Sequence, residues 1–532
     1  DKAQLRLSYG NQYAKGMIPT NTQNKNTILL RGTSDLGKLN IDLKVNYINQ
    51  VIKGRPTGGE EALNPYSDLL RMPTTVKNSD LRDYIDNSGT LPRSNFFLPN
   101  SSLIVNPYWV INKVVPNEVR NRIIASGSVR YNLMKGMNLT GRVGIDRYND
   151  DNDRRVYSGT PTAFTSTSTG GQYSYDRYNV TELNMDAFLD YTTDLSDDFS
   201  LNALLGTSVR KNKVQSATAG AGGLDIPDLF IISNGRAISG TSSLTKQELQ
   251  SVYGTAQIGY RNAIFLDLTG RNDWASTLPS QNRSYFYPSA SLSAVISDLA
   301  DLPSWINYLK LRTSYAFVGK DATPYSLAQT LVADVGVAGT ILRNRGVLVN
   351  PNLKPEQTRA LELGTEMAFL GSRLTVDFTY YNTASINQII NLPLPFSSGF
   401  TSRAINAGEI RNKGIELLLT GKILKNPAGL NWNMSLYFSR NRNKVEELDP
   451  QQKTFLLGST RIGDLKADEG TRIGEMFVRS FQRDEEGLVQ IGANGLPLVT
   501  GRTYYAGNVF PDWTGGINLS LIHISPVSYT HL

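Results

Sequence analysis

From Leu39 to Tyr47 the chain reads LNIDLKVNY, with Leu39, Ile41, Leu43, Val45 and Tyr47 apolar and Asn40, Asp42, Lys44 and Asn46 polar. A period of two sends successive side chains to opposite faces of a strand, so one face meets an apolar medium and the other water. The pattern returns in Met137, Leu139, Val143 and Ile145 against Asn138, Thr140 and Arg142. It returns again in Leu183, Met185, Ala187, Leu189 and Tyr191 against Glu182, Asn184, Asp186 and Asp190, and in Leu430, Trp432, Met434, Leu436 and Phe438 against Asn431, Asn433 and Ser435. Extended along the chain, it predicts strands over 3–9, 27–34, 39–47, 121–131, 137–148, 182–191, 199–210, 251–260, 263–272, 285–297, 308–318, 358–368, 373–382, 411–422 and 430–441, with a sixteenth at 513–520.

The connections alternate as well. Short ones with turn chemistry lie at 35–38, 133–137, 192–198, 261–262, 370–372 and 424–429. Long polar stretches lie between them at 48–120, 149–181, 211–250, 319–357 and 383–410, and no globular insertion is visible. Short–long alternation puts every long connection at one end of the strands. The predicted fold class is therefore all-β, a large antiparallel transmembrane β-barrel with about 15–16 strands in this chain, short periplasmic turns and long extracellular loops. That is too many strands for a barrel filled by its own side chains. Tyr47, Tyr131, Tyr148, Tyr191, Tyr260 and Tyr380 near strand ends read as an aromatic girdle.

Composition narrows the function without changing that picture. The 532 residues are 40% hydrophobic with no run of the ~18 apolar residues a membrane-spanning helix needs. A barrel tolerates this composition because half of each strand, and all of its loops, face water. Cysteine is absent and the two histidines, His523 and His531, fall in the last twelve residues. A Ser-His-Asp or Cys-His centre and a His-ligated metal therefore have no residues to build from. No catalytic, cofactor or metal residue is assigned, the residues that bind substrate are unknown, and the chain is expected not to be an enzyme. The net charge of +7 is dispersed, which excludes a nucleic-acid footprint.

Local signals are weaker. GAGG at 220–223 lacks a following Gly-Lys-Ser/Thr and reads as a mobile loop, while Asn149–Asp153 lacks the glycine and distal glutamate of a calcium loop and reads as a solvated tip. Asp484–Gly487 reads as a turn. The loop aromatics Tyr66, Phe96, Phe97, Tyr108, Trp109 and Trp274 could touch a substrate or partner, with packing inside the loops the preferred role. The chain opens at Asp1 inside a strand-like segment without a leader, as a portion of a longer protein would. Residues 521–532, LIHISPVSYTHL, lose the alternation and are expected to be a sequencing or assembly artefact, leaving 1–520 as the barrel portion.

Several segments resemble the SusC/RagA class of TonB-dependent outer-membrane transporters. These are NPNLKPEQTRALELGTEMAFLGSRLTVDFTYYN (350–382), SGFTSRAINAGEIRNKGIELLLTGKI (398–423), RNDWASTLPSQNRSYFYPSASLSAVIS (271–297), LKLRTSYAFVGKDATPYSL (309–327) and VFPDWTGGINLS (509–520). In the second, Asn406-Ala407-Gly408 is expected to break a loop before a strand, and Lys413-Gly414 to mark a bulge or bend. The resemblance implies a 22-stranded barrel in the complete protein, a plug and TonB box not found here, and missing first and last strands. It also implies TonB and a SusD-like surface lipoprotein as partners, outer-membrane lipid around the barrel, and import of an oligosaccharide or, second, a peptide. A passive porin or adhesin barrel is the alternative, and a soluble β-rich carbohydrate-active enzyme a more distant one.

Overall fold

The computed structural model describes every residue except 1, 59–62, 97–104, 162–164, 166–169, 337–338, 345, 427–428, 451, 460–462 and 524–532. Two compact units emerge, Asp1–Leu189 with Thr207–Leu249, and Asp190–Gly206 with Gln250–Leu532. In the first unit β1 (Lys2–Lys15), β2 (Thr22–Leu36) and β3 (Leu39–Lys53) are followed by α1 (Pro65–Leu70), α2 (Asn78–Leu81), the two-residue strands β4 (Ile85–Asp86) and β5 (Arg93–Ser94), and α3 (Pro107–Lys113). β6 (Val114–Met134) and β7 (Met137–Val156) return to the sheet, and β1–β2–β3–β6–β7 pair antiparallel in that order. β8 (Gln172–Asp194), β9 (Phe199–Leu224) and β10 (Gly235–Tyr260) contribute residues to both units.

The second unit continues with β11 (Ile264–Ala275), β12 (Ser284–Val295) and β13 (Ile306–Lys320), then a small hairpin of β14 (Leu331–Gly336) and β15 (Gly339–Asn344), and β16 (Val347–Leu348). Next come β17 (Glu356–Phe369), β18 (Leu374–Pro393), β19 (Ser402–Leu424) and β20 (Leu430–Glu447). Four shorter strands, β21 (Thr454–Ser459), β22 (Gly463–Asp468), β23 (Glu475–Phe481) and β24 (Val499–Asn508), precede β25 (Thr514–His523). The antiparallel order is β11–β12–β13–β17–β18–β19–β20–β25, and β16 adds a two-residue parallel pairing to β19.

Each of the sixteen predicted strands lies on an observed one, because alternation between water and an apolar medium is the strongest signal a strand can carry. Turn chemistry holds too. Gly37 and Gly136 take positive φ at the β2–β3 and β6–β7 connections, and Arg261 and Asn262 both do so between β10 and β11, as a tight hairpin turn requires.

The apolar face of the first unit is exposed, with Leu43, Val45, Ile123, Val129, Leu139, Val143 and Ile145 all accessible. Leu39 lies opposite Tyr131, and Tyr47 lies eight residues further along β3. At about 3.3 Å per residue that is ~26 Å of strand, and a tilt near 40° leaves ~20 Å of belt height, close to the ~25 Å apolar band of a membrane barrel. Tyr131 and Tyr47 stand at its two edges on the apolar face. Tyr148 does not belong to the girdle, because its ring faces the polar side under Arg120 and Arg122, 4.6 and 5.8 Å from its centroid.

Other expectations are corrected. Much of the stretches 149–181 and 211–250 taken as long loops is strand, and 48–120 is shortened at both ends: β3 runs to Lys53, β6 begins at Val114, β7 runs to Val156, β8 begins at Gln172, β9 reaches Leu224 and β10 begins at Gly235. Past the apolar belt both faces of a ribbon meet water, so the sequence there loses its period while the backbone pairing continues. GAGG is the end of β9, with Ala221 fully buried, and not a mobile loop. Asn149–Asp153 lies within β7 and not at a loop tip, Asp150 pairing with Arg120 and Asp151 with Arg177. Residues 448–513, in which no insertion was foreseen, hold the separate four-stranded sheet β21–β24. Asp484–Gly487 is a turn, its Asp484 side chain accepting from the Glu486 and Leu488 amides. β25 continues to His523, three residues past the expected end at 520, and residues 524–532 lie outside the described ones.

Gly414 marks neither bulge nor bend. It pairs in regular register with Tyr381 and Asn441, and an added Cβ would lie 2.3 Å from the Tyr381 hydroxyl and 2.7 Å from the Arg440 carbonyl. The glycine makes room for a ring laid across the strand, a known remedy for glycine in sheets. Gly414→Ala is expected to cost about 1–3 kcal/mol by overpacking, read as an earlier denaturant midpoint, and an unchanged midpoint would show that the ring is free to move. Asn406-Ala407-Gly408 does not break a loop either. It lies inside β19, where Asn387 on β18 and Gly408 share positive φ and the pairing skips from Ile386–Glu409 to Gln388–Ala407.

Candidate functional site

The polar face of the first unit is a field of paired charges. β2 and β3 place Arg31 beside Asp42, Nε–Oδ1 3.0 Å and Nη2–Oδ2 2.7 Å, and β7 and β8 place Arg142 beside Asp186 at 2.7 Å. Arg120 grips Asp150 with two 2.6 Å bonds, and Arg122 grips Asp146. These are planar fork contacts between guanidinium and carboxylate. Arg6, Lys44, Ser126 and Ser128 complete an open cavity of about 620 Å³ around the Arg31 and Arg142 pairs.

In the second unit Arg312 reaches across two strands. Its Nη1 lies 2.6 Å from Glu366, and its Nη2 2.6 Å from Asp377 and 2.7 Å from the Thr379 hydroxyl. Gly364 permits the crossing, since a Cβ there would sit 2.3 Å from Arg312 Nε. Arg271 similarly joins Asp273 at 2.8 Å and Ser251 at 2.7 Å, and Tyr287 donates to Asp273 at 2.5 Å. The polar face of each unit thus presents guanidinium–carboxylate pairs with side-chain hydrogen-bonding groups.

The loops at the other ends of the strands are folded. α1 and α3 both start at Asn-Pro-Tyr, with the Asn64 and Asn106 side chains accepting from the Tyr66 and Tyr108 amides and proline in the first turn. Trp109 is fully buried among Leu63, Val105, Val110, Val114 and Val156, edge-on to Tyr84, and donates to the Thr160 hydroxyl at 2.9 Å. Trp109 therefore packs the loop and is not a surface contact. Tyr66 and Trp274 are exposed, Tyr108 bonds Asn78, Phe96 is half-buried, and Phe97 lies outside the described residues.

Burial pushes the Asp68 carboxyl on α1 up to about 6, against the Val105 amide and the Arg71 charge that favour its ionised form. A raised carboxyl value means that the ionised form weakens the fold, so this contribution is present below the ordinary carboxylate range and is lost as pH rises through about 6. The expected loss is at most about 3 kcal/mol for the loop between pH 4 and 8. Protection factors of residues 63–96, corrected for base-catalysed intrinsic exchange, should fall over that range in the wild type and stay flat in Asp68→Asn, and equal pH dependence in both would remove Asp68 as the cause.

Three of the segments quoted above meet at the loop end of the second unit. Asn406 on β19 accepts from the Lys354 amide and donates to the Lys354 and Asn387 carbonyls at 2.8 and 3.0 Å. Gln281 and Asn282 bond the carbonyls of Pro351, Asn352 and Leu353, and Leu353 is fully buried. An adjoining cavity of about 400 Å³ is lined by Lys320, Asp321, Tyr325, Glu356 and Asn391, with Lys320 and Glu356 3.2 Å apart. Sequence reasoning found these motifs but not their mutual contact, which needs the register of β18 on β19.

A family model described as TonB dependent receptor-like, beta-barrel, matches residues 62–520. TonB-dependent receptor P3 of Formosa agariphila is 25% identical over 435 residues, covering 78% of this chain and 42% of that protein. TonB-dependent receptor P26 of the same organism is 25% identical over 404 residues, 73% of this chain and 40% of the relative, so the chain spans less than half the length of these curated relatives. Among solved structures, the RagAB peptide importer in its closed-closed state superimposes with a TM-score of 0.75 at 18% identity, covering 98% of this chain and 58% of that one. That likeness is one of fold.

Proposed function

This chain belongs to the TonB-dependent receptor-like β-barrel family of the outer membrane, and from that premise we propose that it forms the wall of an importer that takes up an oligomeric nutrient, energised through TonB and assisted by a SusD-like surface lipoprotein. The family match over 62–520 carries the reading. The two-faced sheet supports it, with an apolar belt for lipid and a polar face whose guanidinium and carboxylate groups are already paired. Substrate captured at the loops would pass along that face once a TonB-driven pull opens the path. Paired charges offer many hydrogen bonds and little net field, so a hydroxyl-rich chain could exchange one set for the next without being held.

An oligosaccharide is the substrate we favour. A peptide is the second reading, supported by the fold shared with a solved peptide importer. Uptake of labelled oligosaccharides and oligopeptides by cells carrying the full-length gene product, with and without a protonophore, tests both. Protonophore-sensitive uptake of the sugar alone is expected. Sensitivity for peptides alone would move the substrate to the second reading, and uptake that ignores the protonophore would make the barrel a passive porin.

A further inference from the structure

Strand register in the first unit sets asparagines side by side at a single level. Asn11 lies opposite Asn26, Asn26 opposite Asn49, Asn49 opposite Asn121, and Asn121 opposite Asn149. The Asn149 amide then donates to Asn179 on β8. Asparagine is among the residues depleted from strands, so a row across six neighbouring strands calls for a reason beyond strand formation.

The row is on the apolar face. The level two residues toward the turns is Tyr9, Ile28, Tyr47, Ile123 and Arg147, and the next is Leu7, Leu30, Val45, Ala125 and Ile145. The asparagines thus stand immediately above the loop-side edge of the belt, and the edge is tied to them. Tyr9 donates to Asn26 at 2.9 Å and Tyr47 to Asn121 at 3.0 Å, while Asn11 donates to Asn26 at 2.7 Å and Asn49 to Asn121 at 2.9 Å. A primary amide has two N–H groups and a carbonyl with two lone pairs. Asn49 and Asn149 each donate along the row with one N–H, and each amide carries a second. Fixed charges lie one level lower, at Arg147, and one and two levels higher, at Asp151 with Arg177 and at Lys15, Lys53 and Asp153.

A headgroup layer of simple phospholipid is ordinarily met by lysine, arginine and aromatic anchors. An uncharged row of paired donors and acceptors matches hydroxyl-rich sugars instead. We propose that Asn11, Asn26, Asn49, Asn121, Asn149 and Asn179 seat the saccharide headgroup of an outer-leaflet glycolipid, whose acyl chains lie on the apolar levels below. The inference needs the outer-membrane setting and not the transport reading, so the two fail separately.

Native mass spectrometry of the full-length gene product, extracted in mild detergent and supplied with lipooligosaccharide or phosphatidylglycerol, tests the seat. The wild type is expected to retain lipooligosaccharide, and Asn49→Leu with Asn121→Leu to retain at least tenfold less, with phosphatidylglycerol binding unchanged. Equal retention by the variant, or equal retention of both lipids by the wild type, overturns the proposal. Should the double variant fail to fold, Asn49→Cys carries a nitroxide label in a full-length product whose other segments have had any cysteine replaced by serine, this chain adding none of its own. Lipooligosaccharide vesicles should shield that label from a water-soluble relaxation agent more than phosphatidylglycerol vesicles do. Equal shielding overturns the seat, and so does disulfide pairing of Asn49→Cys between two copies, which would make the row an interface between proteins.

Discussion

Trp109→Ala is expected to open residues 54–113 to protease while leaving the sheet intact. The indole is fully buried in the loop's own apolar cluster, to which β6 and β7 add Val114 and Val156. Truncating a buried tryptophan costs about 3–5 kcal/mol. The Thr160 hydroxyl also loses its indole donor, although it keeps its own bond to the Tyr157 carbonyl. A segment this small has little other apolar burial to fall back on, whereas β3, β6 and β7 are held by their ladders. Limited proteolysis should therefore nick the loop at a temperature where the barrel still migrates as a folded band. Trp109→Phe keeps most of the volume and should lose about 1–2 kcal/mol with the hydrogen bond. A protected loop in the alanine variant, or loss of the folded band, would contradict this division of labour.

The second large effect belongs to Asn406. Its amide satisfies the Lys354 amide and two carbonyls, those of Lys354 and Asn387. Asn406→Asp keeps the shape and reverses the chemistry, since an ionised carboxylate accepts only and would face two carbonyl oxygens. Two hydrogen bonds become repulsive contacts at an expected cost of about 2–4 kcal/mol. The 351–355 segment should come free of β19, exposing Leu353, and its amides should lose protection from hydrogen exchange. Protonation restores one donor, so protection should return in part below about pH 4. Exchange in this segment identical to the wild type at pH 7.5 would show that Gln281 and Asn282 hold it unaided.

Legibility in the sequence followed the solvent. Where a strand divides lipid from water, as in Leu39–Tyr47, side chains alternate and the element can be read residue by residue. Beyond the belt β9 and β10 pair on through residues 211–224 and 235–250, but water on both faces erases the period. β21 and β24 went unread for the same reason, being short strands whose apolar and polar residues are both largely exposed. The polar face was half legible. Asp42, Lys44, Arg142 and Asp186 announced themselves as water-facing positions, but the pairing of Arg142 with Asp186, 44 residues on, depends on strand order. Register likewise hid the Tyr381 ring over Gly414, the asparagine row, and the contact of Asn406 with Lys354. Trp109 was visible only as a loop aromatic, because its burial depends on Leu63 and Val156 arriving from distant segments.

Strand overhang changes what the loops cost to use. In the first unit the β7–β8 connection shrinks from the 149–181 suggested by composition to 157–171, and Val156 and Gln172 start it from a paired ribbon. Fixing one residue's backbone takes roughly 1–2 kcal/mol of conformational entropy. For the residues absorbed into the ribbon that ordering is completed during folding and need not be supplied by an arriving molecule. Under the proposed import function, capture at such a rim is expected to be tight with few contacts, at a rate that depends more on encounter than on loop rearrangement.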